Sequence, residues 1–379
     1  MKTYLLGAIL LFAACTGSPV VELPEDLAEL ENLEVYHSDV APLHDILFEK
    51  EVAFGDTDDF FIGSVSGIAA DEDGRVFLAD RREAIIRVYG DDGKYLYSVG
   101  SKGEGPGEFT GLHRPKLLGG TLFTLDIQQQ RISRFNPADG TYLSSINLGD
   151  SQSGTGGFPT SFEPLSDDRF LVFLNQMDRS DGALYRSSIP KIIDSDGKLL
   201  SEGFIEFMPT ELILIQSEAF TQILTMSFMP QSFIALNRDE QIVWGFADRL
   251  HLKTMDLDGN YLHSFYHDKP NLPLDRSAII SRYDGSALQP YIRNISFPET
   301  NTAFMEFTVD DENRIWLPIL TEDSQIRDWW ILNENGVKLA EFSRPATDRL
   351  ELVKDGKAYF FEEDEDGLNQ VVRYSIALH

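Results

Sequence analysis

Between residues 67 and 115 apolar and polar positions alternate in short runs, each broken by a turn signal. The first run ends at Asp71-Glu72-Asp73-Gly74, strand patterns follow over 75–80 and 84–89, and Asp91-Asp92-Gly93 leads into a fourth over 94–99. Alternation with period two puts successive side chains on opposite faces of a strand. Asp-Gly supplies the positive φ that a tight hairpin needs. The stretch therefore predicts four antiparallel strands in chain order. A Gly-rich linker, SKGEGPGEFTGLHRP at 101–115, then leads into a fresh strand.

The same pair of turns recurs along the chain. The first turn falls at Gly74, Gly120, Asp168, Glu240, Asn313 and Gly356, and the second at Gly93, Gly140, Gly197, Gly259 and Gly336, 19 to 29 residues later. Four-stranded repeats of about 40–50 residues are the sequence signature of an all-β propeller. Five blades are complete on this count. The sixth has its first turn and strands at 357–362 and 370–376, and lacks an outer strand before His379. Residues 45–54 form a strand pattern with no hairpin partner, so they are expected to complete blade six and close the ring, leaving no open sheet edge. A seventh blade would have to lie in 209–231 or 268–303, and neither carries the paired turns. The stretches 208–232, between blades three and four, and 266–301, between blades four and five, are long insertions with content of their own. The second offers a helix start after Asp275. Both are expected to form a partial cap over the channel mouth, with a subunit contact or simple packing as the alternative.

The linker at 101–115, with its G-x-G-P-G-x-F run followed by Pro, resembles that of NHL repeats, and 67–80 resembles the NHL strand pattern with its closing Asp. The chain is similar to the six-bladed propeller lipoproteins of Gram-negative bacteria, closely over about 60–150 and loosely beyond. The resemblance implies a six-bladed, NHL/TolB-like fold of four-stranded antiparallel blades. It does not imply a reaction, because related propellers include lyases, lactonases, amidating enzymes and interaction scaffolds.

The N-terminus changes the picture of location. MKTYLLGAILLFAAC has one Lys, an apolar run too short to span a bilayer, and the chain's only Cys. It resembles a lipoprotein signal peptide in which Cys15 is lipidated and becomes the first mature residue. Thr16 in place of Asp then implies the outer membrane of the cell envelope. An ordinary secretory signal with an incidental Cys is the alternative. The expected organisation is a signal peptide at 1–15, an acidic tether at 16–44 and the propeller at 45–379. One Cys leaves no intrachain disulfide, so packing alone must hold the fold.

Composition excludes some partners. A net charge of −30 argues against nucleic acid and against anionic membrane faces, so membrane contact is expected through the lipid anchor only. It leaves the oligomeric state open. In so acidic a chain, several Arg at one rim stand out. Loops between second and third strands, and those between blades, should open on one mouth. They carry Arg81, Arg82, His113, Arg114, Gln128, Gln130, Arg249 and Arg327, and the cap adds Arg282, Tyr283 and Arg293. Convergent Arg, His, Gln and Tyr suit a small anionic or carbohydrate-type ligand, or a partner protein. Pairing of these Arg with neighbouring carboxylates is the alternative.

Catalytic signals are weaker. The two DEDG runs, at 71–74 and 364–367, lack the ligand spacing of a calcium loop, and His251, His263 and His267 have no metal-site spacing. No G-x-S-x-G occurs, and GSKGEGPG at 100–107 lacks the end of a phosphate loop. No cofactor is required by the sequence, although calcium or another divalent metal is compatible with it. The expectation is an anchored binding or scaffold propeller. The alternative is a metal-assisted lyase or hydrolase in the central channel around His113.

Overall fold

The computed structural model describes residues 21, 23–55, 62, 64–149, 157–180, 183–201, 207–216 and 221–379. Two strands precede the first blade, β1 (Leu33–Tyr36) and β2 (Ile46–Gly55). Blade one is β3 (Val65–Ala70), β4 (Val76–Asp80), β5 (Ile85–Tyr89) and β6 (Tyr95–Val99). Its linker holds the short parallel pair β7 (Ser101–Lys102) and β8 (Glu108–Phe109). Blade two is β9 (Leu112–Leu118), β10 (Thr121–Asp126), β11 (Arg131–Phe135) and β12 (Tyr142–Asn147). Blade three contains β13 (Phe158–Pro164), β14 (Phe170–Ser180) and β15 (Ala183–Ile193), extended by β16 (Thr210–Gln216) and β17 (Thr221–Leu224).

Blade four is β18 (Ser232–Leu236), β19 (Ile242–Phe246), β20 (His251–Met255) and β21 (Tyr261–His267). Helices α1 (Arg276–Ser281) and α2 (Gln289–Ile292) follow. Blade five is β22 (Thr308–Val309), β23 (Ile315–Leu320), β24 (Ile326–Leu332) and β25 (Lys338–Pro345). Blade six is β26 (Arg349–Lys354), β27 (Lys357–Glu363) and β28 (Asn369–Leu378), completed by β2. Six sheets of four or five strands are formed among the described residues.

The hairpins form where the turn residues can satisfy their own backbone. Asp71, Asp194, Asn237, Asp256, Asp310, Asn333 and Asp364 each accept the N–H groups two and four residues on. Each offers the chain a local alternative to continuing the strand. Both DEDG runs are turns of this kind, so Asp71 and Asp364 spend a carboxylate oxygen on their own loops.

Blades pack through their second turns. Gly336, at φ +89, lies so close to the outer strand of blade four that a Cβ would sit 2.3 Å from the Phe265 ring. Ring closure follows the expected route. β2 runs antiparallel to β28 from Ile46↔Leu378 to Gly55↔Gln370. Phe54 is fully buried in a cluster that joins Tyr359 of blade six to Val76 and Tyr89 of blade one. Glu51 of β2 accepts from Lys357 at 2.5 Å and Arg373 at 2.6 Å, and Arg373 also reaches Asp91 of blade one at 2.6 Å.

Part of the stretch expected to be tether is built into the propeller. β1 adds parallel to β21 as a fifth strand of blade four, Leu33↔Ser264 to Tyr36↔His267. Leu27 is buried, and the N–H groups of Leu43 and His44 donate to Lys338 and Leu339 of blade five. The physical reason is local: Leu33 and Val35 alternate with Glu34 and Tyr36, a strand pattern inside an acidic segment. Residues 23–55 thus strap blades four, five and six.

Blade three departs from the repeat. Its Asp194–Gly197 turn is present, but the outer strand shrinks to the single bridge Ile193↔Leu199. The β14–β15 hairpin instead runs on past the blade, and β16 pairs with its far end at Leu184↔Leu212. The first insertion is therefore the β16–β17 hairpin. The second contains α1, whose N-cap Asp275 accepts from the Ala278 N–H at 2.9 Å, at the predicted start. The two insertions share one apolar core, with Ile213, Ile215, Met226 and Phe228 from the first and Ile279 and Ile292 from the second.

Candidate functional site

The sequence placed its candidate residues on one rim, and the structure divides them among three environments. In the first, the β-turn after β4, Asp80 is fully buried and its Oδ1 accepts from the N–H groups of Arg82 and Glu83. Arg81 and Arg82 are exposed on that turn. Asp126 plays the same part in blade two, accepting from the N–H groups of Thr110, Gln128 and Gln129. Gln130 adopts φ 51 at the end of that turn. The closing Asp of blades one and two is thus a turn-former. Arg249 is not free: it pairs with Asp26 at 2.9 Å and Asp248 at 3.3 Å. Arg293 caps α2 with its backbone, and its carbonyl accepts from Arg276.

The second environment is the central channel. A cavity of about 340 Å³ is lined by Ser66, His113, Arg114, Lys116, Ser161 and Glu163, all from inner strands. Its charges are met from within. Lys116 pairs with Glu163 at 2.6 Å, and buried Glu351 of β26 takes Arg349 at 3.0 Å and Arg114 at 3.7 Å. Gly67 of β3, at φ +151, makes room for Arg114: a Cβ there would fall 2.4 Å from its Cγ. Burial, then Arg114, Lys116 and Arg81, lowers the His113 pKa to about 4, so the ring is neutral at physiological pH. Glu306, surrounded by protein but open to solvent, has its carboxyl pushed up by burial and next by Glu351.

The third environment lies between the cap and blade five. A cavity of about 730 Å³ is bounded by Met226 and Phe228 of the first insertion, Ile279, Arg282 and Tyr283 of the second, and Met305 and Arg327 beside and within blade five. Arg327 is half-buried, and burial alone lowers its pKa. Among the described residues no carboxylate pairs with it. Its Nη2 donates to the thioether Sδ of Met305 at 3.7 Å, and the Tyr283 hydroxyl donates to Met226 Sδ at 3.6 Å. A thioether is a weak acceptor, so both donors face the cavity with hydrogen-bonding capacity in hand.

Of the candidates, then, His113 and Arg114 meet in the channel, while Arg282, Tyr283 and Arg327 meet under the cap. Arg81, Arg82, Gln128, Gln130, Arg249 and Arg293 line neither cavity. The sequence reading missed Glu306, Arg349 and Glu351 of the channel, and Met226 and Met305 of the cap cavity. The channel residues lie on or beside inner strands, and their parity on those strands is the one signal that could have found them. Among the described residues no three His, Cys, Asp or Glu come together as a metal site. His251, His263 and His267 lie on β20 and β21 without forming one.

Comparison with known proteins bears on the fold. Residues 52–229 match a family described as a 6-bladed beta-propeller. No curated protein matches the chain. Among solved structures, a Bacteroides fragilis protein described as exported is 13% identical, covering 92% of this chain and 99% of that one at a TM-score of 0.55. A Bacteroides vulgatus protein is 11% identical over 89% and 99%, at 0.50. Virginiamycin B lyase from Staphylococcus aureus is 12% identical over 87% and 99%, at 0.46. Six sheets of four or five strands, a closing N-terminal strand, the family match and the likeness to the Bacteroides fragilis structure agree: the chain is a six-bladed β-propeller.

Proposed function

We propose that this propeller is an exported, lipid-anchored binding module that takes a small anionic ligand between its cap and blade five. The observation that carries the reading is Arg327, a half-buried guanidinium that faces a cavity with a thioether as its hydrogen-bond acceptor and no carboxylate partner among the described residues. Partial burial of a cation without a paired carboxylate is costly, and an anion that fills the place offsets that cost. From the cap side Arg282 adds a second cation to the lining, and Tyr283 a neutral donor. The channel supports the reading less well, because Glu351 and Glu163 already hold Arg114, Arg349 and Lys116. The signal-like N-terminus ending at Cys15, which lies outside the described residues, and the exported description of the Bacteroides fragilis structure are in keeping with an extracytoplasmic location.

The test is a thermal-shift panel of small organic anions on the wild type and on Arg327→Ala. A ligand present at about 100 times its Kd stabilises the native state by about 2.7 kcal/mol. The wild type should gain melting temperature with at least one carboxylate, and the variant should lose most of that gain. A panel without effect, or equal shifts in both proteins, counts against the proposal.

A further inference from the structure

We infer that the ligand of the cap cavity is an amphipathic monoanion: a single carboxylate carried on an apolar chain. This rests on the reading of Arg327 as the anion anchor and goes beyond it in naming the ligand class. The polar end of the cavity is defined by Arg327 and Tyr283, whose donors meet only the sulfur atoms of Met305 and Met226 among the contacts given above. The cavity is also lined by the apolar side chains of Met226, Phe228 and Ile279, each nine-tenths or more buried in the cap core. The gap between that core and blade five is thus lined by apolar side chains, with Leu272, Leu274 and Leu320 adding to them, as well as by the two cations. A small hydrophilic anion would leave this apolar lining covered by water, whereas a chain attached to the carboxylate would cover it.

The lining holds two cations, Arg282 and Arg327, and two carboxylates, Asp275 and Glu322, so it has no surplus positive charge for a second anionic group. Asp275 gives an oxygen to the start of α1. Glu322, on the loop between β23 and β24, remains to repel a second negative charge. A dicarboxylate is therefore disfavoured. The methionines make the wall adaptable, since unbranched thioether side chains repack around chains of different shape. Such a site should select for one anionic head and an apolar tail more strictly than for a particular tail length.

Isothermal titration of the full propeller chain tests this, using butanoate, hexanoate, octanoate and decanoate below their micellar concentrations, with octanol, octyltrimethylammonium and octanedioate as controls. Affinity should rise along the series by up to roughly fourfold per added methylene, and all three controls should bind at least tenfold more weakly than octanoate. Arg327→Ala should weaken octanoate at least tenfold, and Arg327→Lys by less, because the charge is kept. Octanol binding as well as octanoate, or octanedioate binding more tightly, overturns the inference. If affinity is flat from butanoate to decanoate yet still depends on Arg327, the anion-binding reading stands and the amphipathic ligand falls. If none of the anions binds, both fall.

Discussion

His267 shows how a single side chain ties stability to pH. It is 1% exposed, stacks on Tyr36 with ring centroids 5.0 Å apart, and meets the Gly336 carbonyl through Nε2 at 2.8 Å. Burial lowers its pKa to about 4, and the same cause lowers His251 and His113 to about 4. A folded-state pKa below the unfolded value means that the unfolded chain binds the proton first. The stability these rings allow is fully present above about pH 6.5 and is lost as pH falls towards 4. For His267 the loss between pH 7 and 5 is on the order of 2 kcal/mol. Glu306 and Asp248, whose carboxyls burial pushes up, act in the opposite direction. A variant therefore isolates the effect better than the raw profile does. Urea unfolding of wild type and His267→Gln at both pH values should show a smaller pH-dependent loss in the variant. An identical loss would mean that the ring does not titrate with unfolding.

At the scale of elements, β2 does the most with the fewest residues. Phe54 fills the seam between blades six and one, and Glu51 with Arg373 and Asp91 bridges the same seam. Phe54→Ala should cost about 3–5 kcal/mol in chemical denaturation, and a loss below about 1 kcal/mol would show that the ring closes without it. This closing strand was legible because repeats are countable: a chain with one outer strand too few and one strand pattern too many has an obvious solution. The paired turns were legible for a local reason, since Asp, Asn and Gly satisfy or permit the hairpin wherever they occur. β1 was hidden because its neighbours are acidic and its partner, β21, lies more than two hundred residues away. The candidate site was legible only as a face. Whether an Arg is free depends on which of 62 carboxylates comes near it, and that is a property of the folded chain. Asp26 reaches Arg249 from a segment that reads as a tether, while Arg327 beside Asp328 makes no ion pair with it.

The whole molecule carries a net charge of −30, and this bears on the proposed attachment to a membrane. Many of its cations are already committed to carboxylates, as at Arg373, Arg344, Arg314 and Arg249. The surface field is therefore repulsive toward anionic headgroups, more so at low salt, where the Debye length grows to about 30 Å. Among the described residues no helix is long and apolar enough to cross a bilayer. On the proposed reading, retention in the envelope comes from covalent lipid at Cys15. A surface-held protein and an anchored one respond oppositely to treatment. The wild type should stay with the membrane fraction through high-salt and alkaline washes and leave it only in detergent. Cys15→Ser should appear in the soluble fraction with an unchanged melting temperature. Release of the wild type by salt alone, or retention of Cys15→Ser, would place the attachment on the propeller surface and remove the lipid from the account.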